Sequence, residues 1–460
     1  MPGAIMLKRA VAGLCLCAMM VPVLAFGTDQ LTAPQLIALT KSPDKLAAAL
    51  VATLGEEPIK KGTAVLGYGP DFIWAVESVT RPLLFVNEQP GPATKQVPKS
   101  KIWYAAGKLA PGTSHQFEYR IDGKPFGGKK DVPAYRPESY AKPGVPAGIL
   151  SEKLFHTSKI YDGMKSSYWI YVPAGYDPKI PAALLVVQDG QSYNKRDSDS
   201  IRLLDTLDNL IREKRIPLMI TVLIQPGEVA EGTGIYKELA DLIARTPAPQ
   251  FGGNRSGRPR SPRTPQSVMR SVEYDTVSDR YARFLRDDLL PEVYAKYNIR
   301  RDVYSRAITG LSSGAICAFN VAWQQPDQFS RVLSWIGSFT PLQTVPNYGG
   351  QAFPAMVQRE SKRNIRVWSQ DGAEDQGNWP LQNLAMANSL KQRGYDFHFS
   401  FGAGTHNPAQ GSAELPQSLE WLWRGYDPAK TEQTFAQDPA EAAKPLFRVK
   451  IYNREHGANE

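Results

Sequence analysis

The sequence predicts an α/β protein: a largely parallel sheet with helices on both faces, preceded by a small all-β, immunoglobulin-like sandwich. Three observations predict it. Six short β-rich runs, "AALLVVQDG", "LMITVLIQPG", "RAITGLSSG", "RVLSWIGSF", "IRVWSQDG" and "YDFHFSFGAG", follow one another between residues 182 and 404, several ending in glycine-containing loops. Helical patterns such as "VSDRYARFLRDDLLPEVYAKY" lie between them, and strands alternating with helices imply a parallel sheet covered on both sides. Upstream, "FIWAVES", "PLLFVNEQ", "KIWYAAG" and "SHQFEYRIDGKPF" are partly alternating runs broken by Pro, Gly and Asn, the texture of antiparallel strands and turns.

Taken in order, the first 25 residues read as a leader. Lys8 and Arg9 precede the apolar run "AVAGLCLCAMMVPVLAF", and Val23-Leu24-Ala25 gives a small-residue cleavage pattern. The run is short for a membrane span of ~20 residues, so export with cleavage is expected, to the periplasm or beyond. "AGLC" at Cys15 loosely resembles a lipoprotein box but lies mid-core. No later stretch is apolar enough to cross a bilayer, so no stable membrane insertion is expected. Residues 26–59 contain "APQLIALTKSPDKLAAALVATL", with helical spacing of Leu and Ala, and form a helical lead-in. The sandwich spans 60–145, where Phe117, Tyr119 and Ile121 alternate just before the hairpin-type pair Asp122-Gly123. "YAKPGVPAG" links it to the main domain, 146–430, and residues 431–460 form a polar tail.

A chain of 460 residues, 42% hydrophobic and 22% charged, can bury a substantial core. Loss of Lys8 and Arg9 lowers the net charge from +9 to +7. Much of that excess is local: between Asp241 and Glu273 stand six arginines and no acid. This insertion, about 245–270, is rich in Pro, Gly and Ser and reads as a long solvated loop that could attract an anion. It lacks the interleaved aromatics on which bases stack, so nucleic acid is excluded as a partner. Cys15 and Cys17 leave with the leader, and Cys317, without a disulfide partner, reads as a packing residue.

The stretch "ITGLSSGAICAFNVAW" carries the chemistry. A nucleophile on a strained turn needs a strand before it, small neighbours and a helix behind it. Ala307 and Ile308 end the strand, Gly310 and Gly314 flank Ser312, and Ala315, Ile316, Ala318, Phe319 and Ala322 form an apolar helical stripe. Serine needs a base to take its proton, and only five histidines exist. His115 lies in the sandwich, His156 precedes the sheet, His456 is in the tail, and His398 sits mid-strand opposite Tyr395, Phe397, Phe399 and Phe401. His406, in the loop "GAGTHNPAQG" after the last strand, is left. The orienting acid is expected in "DGAEDQGN", where spacing does not choose among Asp371, Glu374 and Asp375. The order Ser, acid, His is that of α/β-hydrolases. No histidine or cysteine accompanies these carboxylates, so neither a metal nor another cofactor is expected. The oxyanion donors would be the backbone N–H groups of Ser313, directly after the serine, and Gln191, in "VVQDGQSY".

With these residues in hand, the chain resembles the enterochelin esterase family of α/β-hydrolases, related to feruloyl and acetylxylan esterases and to mycolyltransferases. The resemblance runs from the sandwich to about Asp427 and rests on "QDGQSY", "RSVEYDTVSDRYARFL", "GLSSG", "QDGAEDQGNWPLQN" and "GAGTHN". It implies Ser312 as nucleophile, His406 as base and Asp375 as acid, with Gln191 supplying the second oxyanion N–H and the sandwich shaping the substrate cleft. Arg270, Glu273 and Tyr274 match a recurrent stretch to which the resemblance attaches no chemical role. Arg270, Glu273 and Trp379 are candidates for substrate contact. The family's usual glycine before the histidine is Thr405 here, and the arginine-rich insertion has no counterpart in it. The expected function is therefore an exported serine esterase acting on a siderophore lactone or a carbohydrate acetyl or feruloyl ester. The alternatives are an acyltransferase using the same triad, or a non-catalytic carbohydrate-binding protein using Trp74, Trp103 or Tyr104. Oligomeric state is not legible.

Overall fold

The computed structural model describes residues 31–196, 201–246, 262–340 and 349–446; the leader, the tail beyond 446 and most of the arginine-rich insertion lie outside them. The lead-in forms helices Ala33–Leu39, Pro43–Leu54 and Glu56–Lys60. Leu46 and Leu50, one turn apart, bury with Leu36 and Ile59 against Ile73 and Ala75.

Those two residues belong to the strand Asp71–Glu77, which explains its five consecutive buried positions. Ile73 and Ala75 face the helices. Phe72, Trp74 and Val76 face the opposite way, into a core shared with Leu84, Phe117, Tyr119 and Val132. The period-2 geometry of a strand sends alternate residues to opposite faces, and here both faces are covered. Two four-stranded antiparallel sheets enclose that second core. One runs Ala64–Tyr68, Asp71–Glu77, Ile102–Lys108, Lys95–Gln96; the other Gln89–Pro90, Leu83–Val86, Thr113–Ile121, Lys124–Ala134. Asp122 (φ 49°) and Gly123 (φ 77°) both take left-handed conformations, as a two-residue hairpin turn of the mirror-image type requires.

The main sheet contains β1 (Leu154–Thr157), β2 (Lys165–Val172), β3 (Ala183–Gln188), β4 (Met219–Ile224), β5 (Arg306–Leu311), β6 (Arg331–Trp335), β7 (Arg366–Gly372) and β8 (Asp396–Gly402). Their order is β1-β2-β4-β3-β5-β6-β7-β8, and Ile149–Leu150 adds a short pairing to β2. β3 to β8 are mutually parallel, whereas β2 runs antiparallel to β4 and β1 to β2. The result is a mixed α/β fold. β3 to β8 are the six runs singled out in the sequence; β1 and β2 add an antiparallel edge that those runs do not include. Leu184, Val186, Ile308 and Val332 pack on one face, and Leu185, Val187, Ala307 and Leu333 on the other. Burial on both faces turns each strand into a continuous apolar run. The helix Ala409–Trp423 follows β8 and lies against the strands Thr113–Ile121 and Lys124–Ala134, which brings the early sheets to the last loops of the main one. Among the described residues no helix is long and apolar enough to cross a membrane.

Candidate active site

Ser312 stands between β5 and the helix Ser313–Gln324 with φ 55° and ψ −120°, a conformation sparsely allowed to a residue with a side chain. Its two flanking glycines make the turn feasible. A Cβ on Gly310 would lie 2.4 Å from the carbonyl carbon and oxygen of Gly314, so these two backbones touch. A Cβ on Gly314 would meet the Asp189 carboxylate at 2.8 Å and Gln188 Cβ at 3.0 Å, which sets the serine turn directly beside the end of β3. The Ser312 N–H donates to the Trp335 carbonyl (2.9 Å), and the Ser338 N–H donates to the Ser312 carbonyl (3.3 Å). Ile336 between them is also left-handed, at φ 45°, an outlier for a β-branched residue; its N–H donates to Gln370 (2.7 Å).

His406 Nε2 lies 2.9 Å from Ser312 Oγ, and its Nδ1 lies 2.7 Å from Asp375 Oδ1. A carboxylate only accepts hydrogen bonds, so Nδ1 carries the ring proton and Nε2 accepts from the serine hydroxyl. The Asp375 side chain is fully buried and the imidazole is 22% exposed, so the imidazole reaches solvent while its partner does not. Trp379 packs edge-on against the imidazole, ring centres 5.3 Å apart. The other two carboxylates go elsewhere. Glu374 accepts from Gln116 Nε2 (3.1 Å) and Lys129 Nζ (2.7 Å). Asp371 is wholly buried and accepts the Gly372 N–H (2.8 Å); burial, with the Asp375 carboxylate beside it, pushes its carboxyl well above the usual range.

The remaining described histidines are structural. His115 bridges Asn87 and the Ala110 carbonyl, both at 2.9 Å. His156 pairs with Glu292 (2.8 Å), and His398 stacks on Trp368 at 3.9 Å.

The loop bearing Gln191 is built as tightly as the serine turn. Asp189 is left-handed (φ 54°), and a Cβ on Gly190 would lie 2.4 Å from the Leu223 carbonyl carbon, so only glycine lets the chain cross β4 there. Arg270 grips Asp189 in a two-point ion pair, Nε to Oδ1 2.9 Å and Nη2 to Oδ2 2.7 Å. Tyr281 donates to Gln188 (2.6 Å). Arg270 thus holds this loop, a role the sequence did not disclose. Glu273, a candidate for substrate contact, is instead 1% exposed and accepts the Gly227 N–H (2.7 Å). Burial pushes its carboxyl up to about 8, and the same cause lifts Asp275 to about 6. Ser313 is the first residue of its helix, where the backbone N–H has no partner within the helix. A cavity of about 750 Å³, lined by Ile180, Pro217, Trp423 and Tyr426, opens at the opposite rim, by the amino ends of β3 and β4. Ser312, Asp375 and His406 follow the carboxyl ends of β5, β7 and β8, the rim where open α/β sheets place their sites.

Residues 252–422, which contain Ser312, Asp375 and His406, match the family described as "Putative esterase". This bears out the resemblance to esterases and supports a carboxylic ester hydrolase. Among solved structures, the chain is similar to the enterobactin esterase FES from Shigella flexneri, at 15% identity and a TM-score of 0.49, over 78% of this chain and 94% of that one. It is likewise similar to the ferric enterobactin esterase from Salmonella typhimurium, at 13% identity and a TM-score of 0.47, over 77% and 93%. A third similar structure is the CE1 ferulic acid esterase from the anaerobic fungus Anaeromyces mucronatus, at 18% identity and a TM-score of 0.44, over 64% and 97%. Comparison with curated proteins found no match.

Proposed function

We propose that this chain is an exported serine esterase. The observation that carries the reading is the unbroken line from Ser312 Oγ through the His406 imidazole to buried Asp375, at 2.9 and 2.7 Å. Ser312 Oγ attacks an ester carbonyl while His406 Nε2 takes its proton. The backbone N–H groups of Ser313 and Gln191 hold the oxyanion. The tetrahedral adduct collapses, and the leaving alcohol takes the proton from the imidazolium. Water, deprotonated by the same imidazole, then attacks the acyl-serine, and collapse releases the acid while Ser312 Oγ takes the proton back from the imidazolium. Asp375 fixes the tautomer and stabilises the imidazolium.

Residues 146–430 act in this reading as an α/β-hydrolase domain and residues 60–145 as an immunoglobulin-like sandwich at its cleft. The helical lead-in (26–59) precedes them, and residues 1–25 direct export. The substrate is a siderophore lactone or a carbohydrate acetyl or feruloyl ester, the classes that the sequence resemblance implies. The test is turnover of p-nitrophenyl acetate by the wild type and by Ser312→Ala. Loss of activity on the order of 10³-fold or more is expected when the serine is removed, and equal turnover by the two proteins would reject the reading. A panel of siderophore, feruloyl and acetyl-sugar esters then ranks the substrates.

A further inference from the structure

The chain on either side of His406 is held from outside its own domain. Asp131, on the strand Lys124–Ala134, accepts the Thr405 backbone N–H (2.9 Å), the Thr405 hydroxyl (2.6 Å) and the Asn407 side-chain amide. Asn407 also donates to the Thr405 hydroxyl (2.7 Å), so the three residues close a ring around the histidine's backbone. Gln116 stands directly opposite Asp131 in the hairpin and donates both to the Ala403 carbonyl (3.2 Å) and to Glu374 (3.1 Å). Lys129, two residues before Asp131, pairs with Glu374 (2.7 Å), the neighbour of Asp375. The base loop and the acid loop touch each other as well: a Cβ on Gly372 would lie 2.0 Å from the Gly404 carbonyl oxygen. Against the upward push of burial, the hydrogen bonds from Thr405 and Asn407 hold the Asp131 carboxyl below its ordinary range, as befits an ion that is bonded as an ion.

We infer that Asp131 is a positioning residue: the β-sandwich sets the working position of His406 by fixing the chain at Thr405 and Asn407. This rests on the serine-esterase reading above and adds to it. A glycine at 405 could donate only its backbone N–H to Asp131; the threonine here adds the hydroxyl that completes the ring. The loop thereby exchanges its own conformational freedom for an anchor on another sheet. A general base must stay within hydrogen-bond reach of the proton that it removes, and displacement of about 1 Å can cost on the order of 10²-fold in rate.

The experiment uses the full chain, with Asp131→Ala, Asp131→Asn, Thr405→Gly and, as control, Asp71→Ala. The control removes an exposed ion pair with Lys108 on the same sandwich (3.0 Å) without touching the 403–407 loop. Steady-state hydrolysis of p-nitrophenyl acetate is measured together with hydrogen exchange over residues 403–408. Asp131→Ala should lower kcat by about 10²-fold, with KM within about twofold, and accelerate exchange in that loop. Asp131→Asn keeps one oxygen able to accept all three donors and should retain most of kcat. Thr405→Gly should fall between them, and Asp71→Ala should match the wild type. Unchanged exchange over 403–408 in Asp131→Ala overturns the inference, as does an unchanged kcat or a loss confined to KM. Should Asp131→Ala fail to fold, the Thr405→Gly result decides by the same readings. The wild type and Ser312→Ala, assayed alongside, report separately on the esterase reading, and the exchange measurement does not depend on it.

Discussion

The His406 imidazole bonds Asp375, not Asp371 or Glu374, although all three carboxylates fall within five residues of one another. Asp375→Asn should therefore lower kcat by roughly 10³–10⁴-fold, the order seen when the orienting acid of a serine hydrolase is made neutral. Glu374→Gln, which loosens an exposed tie to Lys129, and Asp371→Asn, which replaces a carboxyl that burial already drives toward its neutral form, should each cost less than about tenfold. Steady-state kinetics on one ester rank the three, and a larger loss at Asp371 than at Asp375 would reassign the acid.

Glu273 makes stability depend on pH in a definite direction. Burial raises its carboxyl from 4.5 to about 8. Between those values the folded chain keeps a proton that the unfolded chain has released, so stability falls as pH rises through this window. Glu273→Gln is neutral throughout, and its side-chain oxygen can still accept the Gly227 N–H. Thermal melts at pH 5 and pH 9 should show the variant gaining on the wild type at the higher pH. A difference in Tm that is the same at both values would contradict the assignment.

Gly310→Ala inserts a methyl group 2.4 Å from backbone atoms of Gly314. Neither strand β5 nor the serine helix can yield without moving Ser312, so a stability loss of about 1–3 kcal/mol or more is expected. Activity should fall with it, by a larger factor than stability alone explains. Denaturant unfolding together with kcat on the same preparation checks both.

Cys317 is wholly buried, and burial pushes its thiol well above the ordinary value. It should resist a thiol reagent in the native protein and react once in denaturant. Stoichiometric labelling of Cys317 in the native chain at neutral pH would show the packing to be wrong.

Much of the site was legible because its parts carry local signatures. Gly310, Ser312 and Gly314 announce a strained turn, and with only five histidines elimination left His406. The acid was not legible from spacing, since Asp371, Glu374 and Asp375 share a loop and differ only in where the backbone points them; the resemblance singled out Asp375. β1 and β2 escaped notice because β1 is half-exposed and β2 opens on Lys165, Ser166 and Ser167. Glu273 was a candidate for substrate contact, and nothing in "RSVEYD" discloses that its carboxyl is buried instead. Asp131 was invisible: "GGKKDVPAY" reads as polar hairpin, and nothing local to it says that its partner is a loop 274 positions away.

That separation bears on when the molecule becomes competent. Asp131 is synthesised early, yet its partners Thr405 and Asn407 appear only some 274 residues later. Contacts so distant in sequence form late, since the intervening chain must be ordered before its ends can meet. In the serine-esterase reading, a still-emerging chain would hold its serine turn while the segment around His406 lacked this anchor, and turnover would reach its full rate only once Asp131 has met Thr405 and Asn407.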